Sequence, residues 1–526
     1  MTGWNFAEVW DSVAGEAGDR IAIVCGGTHR SFADFEDRAA RLASYLASNG
    51  VGTGDKVAID LLNRVEYLET FYAALKLGAV PVNVNFRYGV EETRYLFADS
   101  DARAVITEAR FSSTVTDAIA QLSEPRPFML EVGAAYETVV AGPRADIAHQ
   151  PDGDDLIFLY TGGTTGMPKG VMWRNDDLYA ALWQMGRPGT EPPDPLLAIR
   201  AGKRAATTLP ACPLMHGTGL FITLSTLAGG GTVVIIDEMG LDPERIWDEI
   251  DRNEIAVLTI VGDAFAIPLL RALDEQNADG ERWSLDSLRA ITSSGVTWSP
   301  KVKRGLLNHL PTITLLDSLG ASEGLMSRSA SRADDKEIAP ARFAVNDRVR
   351  VLSDDGREVV PGSDEVGMVG VGGRIPLGYY KDPEKTAKTF RTMNGVRYSI
   401  PGDYATVDPD GTIRLLGRGS ATVNTGGEKV YPEEVELVLR QHDAVDDCVV
   451  VGVPDARFGE MVVAMIVARS PVDEATLRDH CKARGLSGYK IPRRVVLLDD
   501  MHRAPNGKAD YQLLRGFAAD RLEVQT

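Results

Sequence analysis

Apolar positions along the first 120 residues alternate between two spacings. Phe32, Phe35, Ala39, Leu42 and Leu46 recur at three- and four-residue intervals behind Ser31 and stop at Gly50, which predicts an amphipathic helix with a serine cap. A second helix is predicted over "VEYLETFYAALKL", with Asn63 and Glu66 as a capping box and Gly78 as its stop, followed by the strand "AVPVNV". Short apolar runs then recur at "LIFLY", "TVVII", "AVLTI" and "LRAIT", separated by helical segments. Runs of that length suit strands buried on both faces, so an α/β body of mixed parallel sheets flanked by helices is expected.

From about Phe343 to Leu416 the pattern shortens to strands broken by Asp-Gly turns, which predicts a β-rich subdomain over about 343–416. It changes again after Gly419-Ser420, where a helix at "YPEEVELVLRQH", strands at "CVVVGV" and "MVVAMIVA" and a helix at "EATLRDHCKARG" make a small α+β unit. The expected division is a large N-terminal domain over 1–418 and a small mobile domain over 419–526. The proline-rich stretch Met185 to Pro195 is expected to be an exposed excursion.

Composition narrows the function. The chain has 526 residues, 44% of them apolar, and no run near the roughly 20 apolar residues of a membrane span, so a cytoplasmic enzyme without integral membrane association is expected. The four cysteines lack the spacing of a disulfide framework or zinc site. A net charge of -19 argues against nucleic-acid partners. Any phosphate ligand must therefore find its positive charge locally.

One stretch offers such a place. "YTGGTTGMPKG", Tyr160 to Gly170, follows the buried run Leu156-Ile157-Phe158-Leu159 with four glycines, three threonines and one lysine. Glycine allows unusual dihedrals and close backbone approach, and free N–H groups with hydroxyls suit an anion. It is not a Walker A loop, because Lys169 is preceded by Pro168 and followed by Gly170.

The stretch resembles the signature of the adenylate-forming superfamily of acyl-CoA synthetases, peptide-synthetase adenylation domains and firefly-type luciferases. Other segments follow in that family's order: "PLMHGTG" (213–219), "DSLGASEG" (317–324), "GYYKDPEKTAKTF" (378–390), "PGDYATVDPDG" (401–411), "GRGSATVNTGGEKVYPEEVE" (417–436) and "NGKADY" (506–511). The wording is most similar to fatty-acid and steroid-side-chain CoA ligases of actinobacterial type.

The resemblance implies a set of roles. Thr161, Gly162, Gly163, Thr164, Thr165 and Lys169 would hold the ATP phosphates, and Glu323 the Mg²⁺. Asp317, Ser318, Leu319, Gly320 and Ser322 would lie along AMP, with Gly295 and Val296 on the other face of adenine. Leu319 stands where the family commonly has an aromatic ring, and Ser322 where it has Thr. Asp403 and Arg418 would hold the ribose hydroxyls, and Lys508 would bridge carboxylate and α-phosphate oxygens as charge builds. His216 would gate the acyl site. Gly427 would line the CoA arm after the small domain turns about Ser420, a hinge that is usually Asp or Lys. The segment Pro213 to Leu220 has no aspartate to hold an ammonium group, which disfavours an amino-acid substrate. Lys203, Arg204, Arg493 and Arg494 are candidates for the CoA phosphates.

The expected reaction is ligation of a hydrophobic carboxylic acid to CoA through acyl-AMP, using ATP and Mg²⁺. An acyl-AMP ligase loading a carrier protein, a luciferase-like oxygenase and a non-enzymatic binding protein are the alternatives, and a homodimer is left open. A thin ligand arm lying against Gly427 leaves no room for a Cβ. Gly427→Leu is therefore expected to block acyl transfer to CoA while carboxylate-dependent ATP–pyrophosphate exchange stays nearly intact. Loss of exchange as well would mean that the substitution had only broken a turn.

Overall fold

The computed structural model describes residues 3–162, 167–202, 205–279, 282–296, 298–338, 340–363, 365–425, 428–455, 457–486, 488–504 and 507–523. Ser31 caps the helix Phe32–Ser48 in a full capping box with Asp34, and Phe32, Phe35, Ala39, Leu42 and Leu46 are all buried. The second helix runs over Val65–Lys76, but its cap differs from expectation. Asn63 instead donates to the Cys212 carbonyl (3.2 Å) and accepts from the Leu214 N–H (2.7 Å), while Arg64 takes the Glu66 carboxylate (3.1 Å). Tertiary partners displace the local cap here, because the amide gains two bonds instead of one. Gly78 ends that helix at φ +64, with the His149 ring where a Cβ would stand.

Three sheets carry the first 418 residues, and each is mixed or antiparallel as the short apolar runs imply. A seven-stranded sheet centres on the parallel strands Leu156–Thr161, Val80–Asn83, Lys56–Asp60, Ala102–Glu108 and Phe128–Val132. An eight-stranded sheet has the parallel strands Thr314–Ala321, Ala290–Ser294, Val257–Ile260, Thr207–Pro210, Thr232–Ile235 and Ile21–Cys25, with an antiparallel strand at each edge. An antiparallel sheet gathers strands between Phe343 and Arg418. A fourth sheet joins strands between Val423 and Leu498, with the helices Pro432–Leu439 and Glu474–Ala483 packed on its core. This is the expected fold class: helices flanking mixed sheets, with a small α+β unit at the C-terminal end.

The small unit is docked on the large one. Lys301 pairs with Asp443 (2.9 Å) and Arg271 with Asp446. Gly507, at φ +71, is so close to Val261 and Ala264 that an added Cβ would lie 3.0 Å from the Ala264 methyl. No helix among the described residues is long and apolar enough to cross a membrane.

One buried ion pair braces the strand Thr314–Ala321. Lys303, on the helix Pro300–His309, is fully buried and its Nζ lies 2.5 Å from Asp317. Burial pushes the Asp317 carboxyl up and Lys303 opposes that shift. Lys303→Met should destabilise the protein by about 3–5 kcal/mol by leaving Asp317 unpaired. Adding Asp317→Leu should recover most of the loss in urea unfolding; equal losses in the single and double variants would refute the pairing.

Candidate active site

A cavity of about 1000 Å³ opens at the C-terminal ends of the parallel strands in both large sheets. Open α/β sheets bind ligands at this edge, because the chain leaves the strands there and frees its backbone groups. Thr161, Gly162, Lys169, His216, Gly295, Ser318, Gly320, Ser322, Glu323 and Lys508 all line it. A neighbouring cavity of about 1490 Å³ shares Gly295, Ser318, Gly320 and Tyr404 with the first and adds Val296, Asp317, Leu319 and Asp403. The motifs separated by hundreds of residues thus meet in one continuous cleft.

Gly163, Thr164, Thr165 and Gly427 lie outside the described residues, as do Lys203 and Arg204. Asp403 and Arg418 are directly opposite one another in the antiparallel ladder of Asp403–Val407 and Thr412–Arg418.

Each loop has a visible anchor. Asn83, buried at the end of its strand, donates to the carbonyls of Tyr160 (2.8 Å) and Met215 (2.7 Å) and accepts from the Tyr160 N–H (2.7 Å). It ties the start of the glycine-rich loop to the residue before His216. Glu323 accepts from the Tyr379 hydroxyl (2.7 Å), and the indole of Trp173 donates to the Ser322 carbonyl (2.9 Å). Arg503 is clamped by Asp447 (2.7 and 2.8 Å) and donates to the Gly507 carbonyl (3.0 Å), which sets the backbone just before Lys508.

Two of the expected site residues already have charged partners. Lys169 is ion-paired with Asp382, so serving a phosphate requires it to exchange that partner. The Asp317 carboxylate is committed to Lys303. The stretch Met185 to Pro195 is largely exposed, yet Pro193, Asp194 and Pro195 line the cavity, so it is a roof as well as an excursion.

Tyr379 and Asp382 carried a readable signal, since both fall in the segment "GYYKDPEKTAKTF". Phe6, Tyr179, Leu182, Trp183, Phe221 and Ile222, which make the apolar part of the cavity, belong to no motif. Their only sequence signature is helical apolar spacing, which any core residue shares.

The cleft defines a nucleotide-using enzyme with a large apolar compartment. The chain belongs to the AMP-binding enzyme family, whose model matches residues 10–380, with the AMP-binding enzyme C-terminal domain matching 434–508. It is 39% identical to a 3-oxocholest-4-en-26-oate–CoA ligase of Rhodococcus rhodochrous, over 97% of this chain and 95% of the relative. Identity is also 39%, with the same coverage, to a medium/long-chain-fatty-acid–CoA/3-oxocholest-4-en-26-oate–CoA ligase of Mycobacterium tuberculosis. Among solved structures it superposes on ATP-bound MatB from Rhodopseudomonas palustris with a TM-score of 0.82 and 26% identity, covering 98% of this chain and 100% of the other. An anthranilate CoA ligase in complex with anthranoyl-AMP shares the fold, with a TM-score of 0.85 and 21% identity over 99% of each chain.

His216 stands half-buried at the start of the helix Gly217–Ala228, and its pKa is pushed down to about 4 by burial and then by the charges of Lys508 and Arg87. It is therefore neutral at pH 7. A depressed folded-state pKa means that the unfolded chain binds a proton the folded chain refuses, so this contribution to stability is complete above about 6.5 and is lost as pH falls toward 4. In Lys508→Met the His216 pKa should rise, read by NMR titration of the ring. An unchanged value would mean that Lys508 does not stand beside His216 in solution.

Proposed function

We propose that this protein is an ATP- and Mg²⁺-dependent ligase. It joins a hydrophobic carboxylic acid, a medium- or long-chain fatty acid or a steroid side-chain acid, to CoA through an acyl-AMP intermediate, releasing AMP and pyrophosphate. The observation that carries this reading is the entry of Lys508, from the far end of the chain, into a cavity that also holds Glu323, His216 and Gly295. The names of the relatives and the apolar wall of Phe6, Tyr179, Leu182, Trp183, Phe221 and Ile222 support the substrate class.

A carboxylate resists nucleophilic attack because it is anionic and resonance-stabilised, so the site must first neutralise charge. In this reading Lys508 supplies a fixed cation where the carboxylate meets the α-phosphate, and the backbone around Thr161 and Gly162 meets the outer phosphates. Glu323 would hold Mg²⁺: it faces the cavity, the Tyr379 hydroxyl donates to its Oε1, and a single carboxylate with phosphate oxygens is the usual magnesium donor set. When bound, the cation neutralises phosphate charge as pyrophosphate departs. Asp403 and Arg418 take the ribose hydroxyls, Leu319 and Val296 pack on the base, and neutral His216 borders the acyl compartment without adding charge.

Residues 1–418 act as the AMP-binding domain and 419–526 as the mobile one, turning about Ser420 so that Lys508 leaves before the thiol of CoA arrives. The reading sets the enzyme in the cytoplasm and needs no second copy of the chain.

Pyrophosphate release, screened over fatty, aromatic, steroid and amino acids with and without CoA, tests the reaction and its acceptor. Lys508→Ala should lower adenylation by about 10²–10³-fold, the scale of removing one donor aimed at developing charge, and leave thioester formation from supplied acyl-AMP within a few-fold. Equal loss in both half-reactions would make Lys508 structural.

A further inference from the structure

The apolar compartment contains a charge that a purely hydrocarbon acid would not satisfy. Arg328 lies on the strand Gly324–Ser331, directly opposite Ser318 in the antiparallel pair, so it shares the sheet face that Ser318 turns to the cavity. It lines the same cavity as Tyr179, Trp183 and Phe221. Arg328 lies five positions beyond Glu323 in the chain, and its Nη1 stands beside Gly186, in the segment Met185 to Pro195 that roofs the cavity.

Among the described residues the Arg328 side chain makes no hydrogen bond or ion pair. Its charged neighbour is a second arginine. A Cβ on Gly186 would stand 3.9 Å from Nη1 of Arg328, and Arg187 follows at once, its guanidinium 4.1 Å from the Trp183 ring centroid. The Arg328 side chain is exposed to the open cavity, yet enough protein surrounds it that desolvation, and then Arg187, push its pKa down, as expected where no carboxylate stands near. The carboxylates in the cavity wall are engaged elsewhere. Glu323 accepts from Tyr379 (2.7 Å), and Asp194 caps the Leu196 N–H (2.9 Å) and lies 4.0 Å from Arg200.

An arginine cannot shed its charge, and an apolar acid filling the cavity would strip it of water without offering an acceptor. We propose that the acid activated here carries a second carboxylate at the end remote from the reacting one, held by the planar fork of Arg328 with Arg187 beside it. The fork matches a carboxylate with two parallel N–H bonds, and the apolar wall takes the hydrocarbon between the two ends. This deepens the ligase reading and rests on it.

The test compares straight-chain monoacids with α,ω-diacids of matched length, by pyrophosphate release and by calorimetric binding without ATP. The wild type should prefer one diacid length to its monoacid, and Arg328→Met should lower that diacid-to-monoacid ratio of kcat/KM by about 10- to 100-fold, the scale of a charged hydrogen bond. Arg328→Lys should recover part of the ratio and Arg187→Met should lose several-fold. Should Arg328→Met fail to fold by circular dichroism, Arg187→Met carries the comparison, and an unchanged ratio there counts against the proposal. Equal handling of monoacids and diacids at every length by wild type would overturn it. Equal dependence of a terminal keto acid on Arg328 would overturn the requirement for a second charge. If no acid releases pyrophosphate while a diacid binds only through Arg328, the ligase reading fails and the second carboxylate stands. If monoacids react and no diacid binds, the reverse holds.

Discussion

The cleft depends on one buried amide. Asn83 spends both faces of its side chain on backbone, two bonds to Tyr160 and one to Met215, and so sets the spacing between the glycine-rich loop and the His216 segment. Those segments are more than fifty residues apart in sequence and leave different sheets. An apolar side chain at that position would leave their buried backbone groups without these partners, at about 1–3 kcal/mol each. Asn63 repeats the device one strand earlier, joining the head of the helix Val65–Lys76 to Cys212 and Leu214. Two asparagines thus hold the segment Cys212 to Met215, which borders the cavity, by main-chain bonds.

The second constraint is electrostatic. A chain with net charge -19 gathers Lys169, Lys508, Arg187 and Arg328 around one cavity, against its own global field. Three of them are placed by different means: Lys169 by Asp382, Lys508 through the Asp447–Arg503–Gly507 relay, and Arg187 by Trp183. Asp447 also faces Arg440 at 3.8 Å inside a buried cluster with Glu436. The rigid part of the small unit therefore orients the loop that carries Lys508, while salt links such as Lys301–Asp443 hold that unit on the large one. Exposed links of this kind are weak and exchangeable, which suits the proposed turning of this unit between two half-reactions.

What the sequence determined by itself is the chemistry and the local structure. Helical spacing behind Ser31, buried runs such as "LIFLY" and the ordered motifs from Tyr160 to Lys508 depend on neighbours in the chain, and these are legible because short-range hydrogen bonding and alternation set them. Tertiary structure alone decided which distant groups meet. The Asn63 cap went to Cys212 and Leu214, Lys169 went to Asp382 across 213 residues, and the Asp317 carboxylate went to Lys303. The apolar wall and the unpaired Arg328 were equally unreadable, because a tryptophan on a helix or an arginine on a strand has the same local pattern whether it faces core, solvent or cavity. Facing is set by how sheets pack on one another, and that geometry is a sum over contacts that no single stretch of the chain contains.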